Sequence, residues 1–131
     1  MSSSPDGGIP SAGPSLDTAF GLLADETRRL SLYVLREHGG MSLADLADVV
    51  TGWSAVRRGD GRATADDRRE RLVSLHHTHV PKLRAAGVVT YDDETGVVAF
   101  ASPSEAFDRL LDAALAIETE AGETAVPEPE Q

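Results

Sequence analysis

The chain has 131 residues, a formal net charge of −10 and no cysteine. This length favours one domain with tails, and the lack of cysteine excludes disulfides, thiolate metal sites and cysteine nucleophiles. No run approaches the roughly 20 apolar residues that a membrane-spanning helix needs, and the first residues have neither the basic start nor the apolar centre of a signal peptide. The sequence therefore predicts a cytoplasmic protein.

Basic residues are concentrated in the middle of this acidic chain. Residues 28–87 hold 11 of the 12 Lys and Arg residues but only 7 of the 22 Asp and Glu residues, which gives this stretch a net charge of +4 and the remainder −14. Because attraction to phosphates needs positive charge, we expect any nucleic-acid contact here. Lys82 is the one lysine, and so low a lysine content in an acidic chain resembles proteins of extreme halophiles, where acidity serves solubility.

The first half of the chain predicts three helices behind a tail. Residues 1–15 are rich in Ser, Pro and Gly and are expected to be disordered. Residues 16–23 and 25–38 have helical apolar spacing. Ser42 fits an N-cap, with Asp45 three residues later, for a third helix. The apolar side of that helix is expected to consist of Leu43, Leu46, Ala47, Val50 and Trp53.

The second half predicts a loop, a long helix, a hairpin and a last helix. Residues 54–66 contain two glycines and no periodic apolar face, which is typical of a loop. A helix is expected from about Arg68 to Ala86, capped by Asp66 or Asp67 and ended by Gly87. The runs VVTYD and VVAFA around DETG predict a β-hairpin. An amphipathic helix follows over residues 102–121, and an acidic, proline-bearing tail, expected to be disordered, covers 122–131.

This order of elements predicts a mostly α fold with a small β-hairpin. Three helices, a long helix and a two-stranded hairpin are the elements of a winged helix-turn-helix domain, expected over residues 16–101. The helix over 102–121 would be added to it, for packing or for dimerisation.

Two segments also resemble a known family. LLADETRRLSLYVLREHGG, residues 22–40, resembles the first helices of small winged-helix repressors, and THVPKLRAAGVVTYDDETGVV, residues 78–98, resembles the end of their recognition helix and the wing. The LLADE and RR residues and the HTHVPKL segment are similar to a haloarchaeal family of winged-helix domains that is classed mainly by sequence. The resemblance covers residues 16–101 and implies the fold and the host. The wider repressor group implies DNA binding, usually as a dimer.

Three of the four histidines lie within residues 76–79. His76 and His79 fall at helical spacing with Leu72, Leu75 and Leu83, so both are expected to be partly buried structural histidines. Pro81 should disturb the helix near His77 and Thr78, because it lacks a backbone donor and crowds the preceding turn.

Metal binding and catalysis are the weaker interpretations of the histidines. A metal site would need further ligands, with His38 as a candidate, but the chain has no cysteine and no H-E-x-x-H pattern. No nucleophile lies in a G-x-S-x-G context and no glycine-rich phosphate loop occurs. We therefore predict no metal, no cofactor and no enzyme activity.

The other face of the long helix is the candidate contact with double-stranded DNA. In helix-turn-helix proteins the N-terminal part of the recognition helix enters the major groove, where Arg, Ser and Thr can bond to bases or phosphates. Arginines in the preceding loop would reach flanking phosphates. The alternative is that all these side chains are an ordinary solvated surface. The predicted contact residues are Arg68, Arg71, Ser74, His77, Thr78 and Lys82 on the helix and Arg57, Arg58 and Arg62 in the loop.

The acidic tip of the predicted wing argues against a DNA contact there. This tip consists of Asp92, Asp93 and Glu94, whose carboxylates would repel phosphates. A winged helix that binds a protein partner, without DNA affinity, is therefore the second hypothesis.

Homodimerisation is expected through the last helix, in which Phe107, Leu111, Ala114 and Ile117 or Glu118 approximate a coiled-coil spacing. Packing of this helix on its own domain would also bury its apolar side. Arg28 and Arg29 are expected to form local ion pairs with Asp25, Glu26 and Glu37.

Overall fold

A computed structural model describes residues 13–59, 62–120 and 126–129 of the chain. Most of the two predicted tails lies outside these residues. The elements, in chain order, are α1 (Leu16–Leu23), α2 (Glu26–His38), β1 (Met41–Ser42), α3 (Leu43–Arg57), α4 (Ala65–Ser74), a π-helical turn (Leu75–His79), α5 (Val80–Ala85), β2 (Val89–Asp92), β3 (Val97–Phe100) and α6 (Glu105–Glu120). The predicted fold class, mostly α with a small β-hairpin, is confirmed.

Side-chain caps fix where the helices begin. The predicted cap of α3 is confirmed, because the Ser42 hydroxyl accepts a hydrogen bond from the Asp45 amide at 3.1 Å. The predicted start of the long helix is wrong by three residues. Thr64, not Asp66 or Asp67, is its N-cap, and Asp67 completes a reciprocal capping box by accepting the Thr64 amide. These hydrogen bonds to the carboxylate lower the pKa of Asp67.

Helix α3 extends into the stretch that was expected to be a loop. Residues 54–57 continue the helix to Arg57, so the prediction of a loop from residue 54 is wrong. The extra turn is anchored on α2, because the buried Ser54 hydroxyl donates to the Glu26 carboxylate at 2.9 Å. Ala55 is buried in the same turn. Long-range packing therefore keeps this turn helical although its polar residues show no clear periodicity.

The long helix runs from Ala65 to Ala85 and widens in the middle. All the junction residues between its three parts keep right-handed helical dihedrals. The Val80 amide bonds to the carbonyl of Leu75, five residues back instead of four. Pro81 cannot donate a backbone hydrogen bond, and π turns are a known way to absorb such a defect within a helix. The disturbance predicted near His77 and Thr78 is thus a one-turn widening.

The hairpin belongs to a three-stranded antiparallel sheet with the order β1-β3-β2. Tyr91 lies opposite Val98 in the pair of β2 with β3, and Met41 lies opposite Val98 on the other side. The hairpin was predicted, whereas the two-residue strand β1 was not. Gly87 separates the long helix from β2 with a φ of 78°, a left-handed conformation that favours glycine.

One hydrophobic core joins the helices to the inner face of the sheet. Trp53 is buried as predicted and lies 6.0 Å from the Tyr33 ring. Helix α6 packs on this core through Phe107 and Leu111, and the Phe107 ring stacks on Phe100 of β3 at 6.4 Å. After residue 125, Val126 packs against the same core. Within the described ranges no helix is both long and apolar enough to cross a membrane.

Candidate nucleic-acid interface

The helix from Ala65 to Ala85 has one face on the core and one face in solvent. Leu75, Val80 and Leu83 are buried on the inner side. On the outer side the side chain of Arg69 is 72% exposed, in a surface ion pair with Asp66 at 3.2 Å. The exposed residues of this outer face are Asp66, Arg69, Glu70, Val73, His76, His77, Thr78, Pro81 and Lys82.

Four of the predicted contact residues lie on this outer surface or in the loop before it. His77, Thr78 and Lys82 are exposed along the widened part of the helix, and Arg62 is exposed just before α4. The imidazoles of His76 and His77 meet edge to face, with 4.7 Å between their centroids. The π turn therefore presents three consecutive polar side chains, at positions 76–78, to solvent.

Arg68 and Arg71, which were predicted to face solvent, do so only in part. Arg68 is half-buried, and its Nε lies 3.4 Å from an Asp48 carboxylate oxygen on α3. Arg71 is also half-buried, and burial lowers the pKa of its guanidinium, opposed by the negative charge of Glu26. Ser74 is half-buried beside Arg71 in a polar cleft against α2 and α3.

The spacing in the sequence explains this correction. Arg68 precedes Leu72 by four residues and Arg71 precedes Leu75 by four, and residues four apart share a helix face. Both arginines therefore belong to the inner face, which packs on α3. Arg69, one position further round, is the exposed arginine that the prediction missed. The same spacing could have identified it.

The two arginines at the end of α3 also differ from the prediction. Arg57 is on a helix, half-buried, and its guanidinium lies 3.3 Å from carboxylate oxygens of both Glu26 and Glu118. Arg58 caps the helix, is exposed, and donates to the Ser54 hydroxyl at 2.7 Å. Arg57 thus serves to connect helices, and its ion pairs could not be read from neighbours in sequence.

Of the two histidines predicted to be partly buried, only His79 is. It is buried against α2, where the Arg28 guanidinium donates to Nδ1 at 3.2 Å, and its Nε2 lies 3.9 Å from Asp25. Burial lowers the pKa of His79, with Asp25 opposing and Arg28 reinforcing the shift. The prediction for His76 is wrong, because the π turn rotates this residue out of the inner face.

Arg28 and Arg29 do not form the predicted local ion pairs. The Arg28 side chain donates to the carbonyls of Leu22 and Gly21, which closes the end of α1. Arg29 donates to the Leu23 carbonyl and forms a salt bridge with Glu118 of α6. Both arginines therefore tie α1 to the domain.

The hairpin lies beside the C-terminal half of the long helix. Its tip residues Asp92, Asp93 and Glu94 are exposed, as the sequence suggested. A groove of about 480 Å³ separates the hairpin from the helix and is lined by Leu43, His76, Val80, Pro81, Arg84, Ala85, Tyr91 and Asp93. Arg84 is a second exposed arginine that the prediction missed. In the described part of the chain, no group of three or more His, Cys, Asp or Glu side chains could hold a metal ion.

The class of protein that this geometry defines is a mostly helical domain with a three-stranded sheet and one long helix exposed along its outer face. The chain belongs to the family of domains of unknown function designated DUF7344, whose family model matches residues 20–99, more than half of the chain. No curated protein and no solved structure matches the chain. The resemblance to haloarchaeal winged-helix domains stays a prediction.

Proposed function

We propose that this chain is a transcription regulator that binds double-stranded DNA through the outer face of the helix from Ala65 to Ala85. The order helix, strand, helix, helix, strand, strand, from α2 to β3, supports a winged helix-turn-helix domain. In this arrangement α3 and the long helix form the helix-turn-helix pair, and β2 and β3 form the wing. A haloarchaeal host accounts for the acidity of the chain.

The observation that carries this proposal is the exposure of one whole face of the long helix. A recognition helix that is held by its inner face and projects side chains from its outer face is the arrangement that enters the major groove. Among the residues of this face and the preceding loop, we assign DNA contact to Arg62, Arg69, His77, Thr78 and Lys82, which are exposed. Arg57 and Arg71 instead support the helices from within, and Arg68 pairs with Asp48 of α3.

The small number of cations among the assigned contacts implies how the affinity arises. Arg62, Arg69 and Lys82 allow about three phosphate contacts, each of which contributes a slope of roughly −0.9 to the dependence of log affinity on log salt. A slope this shallow suits a cytoplasm at molar salt. Hydrogen bonds from His77 and Thr78, shape fit and two copies of the domain would provide the remaining affinity.

We further propose that the DNA-binding form is a homodimer, on a surface that differs from the one first expected. Phe107 and Leu111 of the predicted stripe are buried in the core, and Glu118 is engaged by arginines. The exposed apolar residues that remain nearby are Ile117 on α6, 68% exposed, and Leu16 and Phe20 on α1, 63% and 55% exposed.

Two observations place α1 beside α6. A groove is lined by Pro14, Leu16 and Ala19 of the α1 region and by Phe107 and Leu110 of α6. At the other end of both helices, the Arg29 guanidinium binds the Leu23 carbonyl and Glu118. A second copy covering this α1–α6 face would remove the exposed apolar side chains from water and would present two long helices to one DNA site.

The second candidate function, binding of a protein partner without DNA, is favoured by two observations. The acidic hairpin tip repels phosphates, and Val73, 52% exposed, lies in the middle of the outer helix face. The two functions predict different outcomes for one experiment, a selection of bound fragments from the genomic DNA of the source organism. The selection is performed with the purified full chain at molar KCl.

DNA binding predicts that specific fragments are enriched by the native chain and by Arg68→Ala, which removes a cation from the inner face of the same helix. The triple variant Arg69→Ala, His77→Ala and Lys82→Ala should lose the enrichment. Equal recovery of all fragments by every variant would favour the protein-binding function.

A further inference from the structure

The groove between the long helix and the hairpin has the features of a small-molecule site. Its volume of about 480 Å³ lies within the roughly 300–1,000 Å³ that is usual for such sites. Three elements meet there, α3 through Leu43, α5 through Val80 and Pro81, and β2 through Tyr91. Because these elements are fixed by the core, the groove is formed without any movement of the chain.

The floor and walls of the groove are apolar. Leu43 and Val80 are buried, 7% and 4% exposed, and form the floor, and Pro81, Ala85 and the half-buried Tyr91 form the sides. Removal of apolar surface from water is favourable. An apolar ligand body would therefore gain binding free energy here.

Polar groups of both charges surround this apolar floor, and none is engaged elsewhere in the described part of the chain. The Arg84 guanidinium, the Asp93 carboxylate and the Tyr91 hydroxyl have no hydrogen bond or ion pair there. The His76 imidazole has no hydrogen bond or ion pair there either, and its ring meets the His77 ring edge to face. These uncommitted groups are therefore available to a ligand in the groove.

We propose that this helix–hairpin groove binds a small zwitterion with an apolar body, of the chemical class of apolar amino acids and short apolar peptides. The ligand carboxylate binds Arg84, because a guanidinium matches a carboxylate with two parallel hydrogen bonds. The ligand ammonium group binds Asp93, and the apolar body lies on Leu43, Val80 and Tyr91.

The charges select this class over two others. A simple apolar carboxylic acid would pair with Arg84 but would meet repulsion from Asp93. A nucleic-acid phosphate would meet the same repulsion and would leave the apolar floor unused. A ligand with both charges satisfies both groups through charge-assisted hydrogen bonds.

The site stands independently of DNA binding, so its test contains no DNA. The purified full chain is titrated by calorimetry with L-phenylalanine and with leucyl-leucine, at constant KCl. Saturable binding of at least one of them is expected. The N-acetyl and carboxamide forms of that ligand, which lack one charge each, should bind at least tenfold more weakly.

Matched variants locate the ligand. Arg84→Gln and Asp93→Asn should each weaken binding at least tenfold, whereas Arg109→Gln on α6 and Glu94→Gln, the neighbour of Asp93 that does not line the groove, should leave it unchanged. All four residues are exposed, so the variants should fold, and circular dichroism checks this. Absence of saturation with both ligands, or binding that is indifferent to Arg84→Gln and Asp93→Asn, would overturn the proposal.

Discussion

Glu118 of α6 forms a salt bridge with Arg57 of α3, with 3.3 Å between its Oε2 and the arginine Nη1, and both side chains are mostly buried, 9% and 18% exposed. The same carboxylate binds Arg29 of α2, and Arg57 also binds Glu26. Three helices thus meet at one buried network of charges. Burial and the charge of Glu118 raise the pKa of the nearby Tyr33 hydroxyl, which therefore stays neutral.

Glu118→Gln should lower the free energy of unfolding by about 3 kcal/mol. The substitution keeps the shape of the side chain but leaves the Arg29 charge partly buried without its counter-ion and Arg57 with Glu26 alone, which is the costly way to break such a network. Urea unfolding at constant KCl measures the change. The control is Glu105→Gln, whose partner Arg109 is 78% exposed, and whose effect should stay below about 0.5 kcal/mol. Equal effects of the two variants would show that the buried network contributes no stability.

Acidification should destabilise the fold through His79. Its folded pKa lies below its ordinary value of 6.5, so the unfolded chain binds the extra proton first. Stability is then complete above pH 6.5 and falls as the pH drops from there towards the folded pKa. The loss of unfolding free energy between pH 7.5 and pH 5.5 should be smaller in His79→Gln than in the native chain. His77→Gln, at an exposed position, should behave as the native chain. An unchanged pH dependence in His79→Gln would contradict this role.

The α1–α6 face should control the oligomeric state. Phe20→Glu combined with Ile117→Glu places charges on the exposed apolar residues of this face, where a second copy would bury them at a high cost. Sedimentation analysis should show a dimer for the native chain and a monomer for this variant. Val56→Glu is the control, because Val56 is an equally exposed apolar residue, 57%, at the end of α3. A native monomer, or a dimer that persists in the double variant, would reject this interface.

Local signals in the sequence predicted most of the fold. The Ser42 cap, the hairpin and the burial of Trp53 follow from a cap residue, β-rich runs around a turn, and helical spacing, all within a few residues. Strand β1 was not predictable, because two residues have no periodicity and pair only with Val97 and Val98, far along the chain. The last turn of α3 depends on Glu26, 28 residues earlier, and was likewise hidden.

The candidate site was predicted less well, for two physical reasons. First, helical spacing puts Arg68 and Arg71 on the same face as Leu72 and Leu75. An arginine can lie on such an inner face when its guanidinium binds a carboxylate or lies in a polar cleft. The π turn then added a residue to one turn, which shifted the phase of the helix and exposed His76 while His79 stayed buried. A regular period of 3.6 residues per turn cannot assign residues to the correct helix face both before and after such a turn.

The charges of the outer helix face should set the salt dependence of DNA binding. Arg69→Ala combined with Lys82→Ala removes two of the three proposed phosphate contacts, so the slope of log affinity against log KCl should become shallower by about 2. Fluorescence anisotropy with a selected fragment measures the slope. Arg68→Ala with Arg71→Ala removes the same charge from the inner face and should leave the slope unchanged. If the inner pair changes the slope and the outer pair does not, the assignment of the two faces is wrong.

The most direct test of the account is the binding of the native chain to one selected duplex, measured by anisotropy from low to molar KCl beside a scrambled duplex of equal length. DNA recognition through the outer helix face predicts saturable binding that prefers the selected duplex and persists at molar KCl, with a slope near −3 for about three phosphate contacts. Equal affinity for both duplexes, or no saturable binding at any KCl concentration, would contradict it.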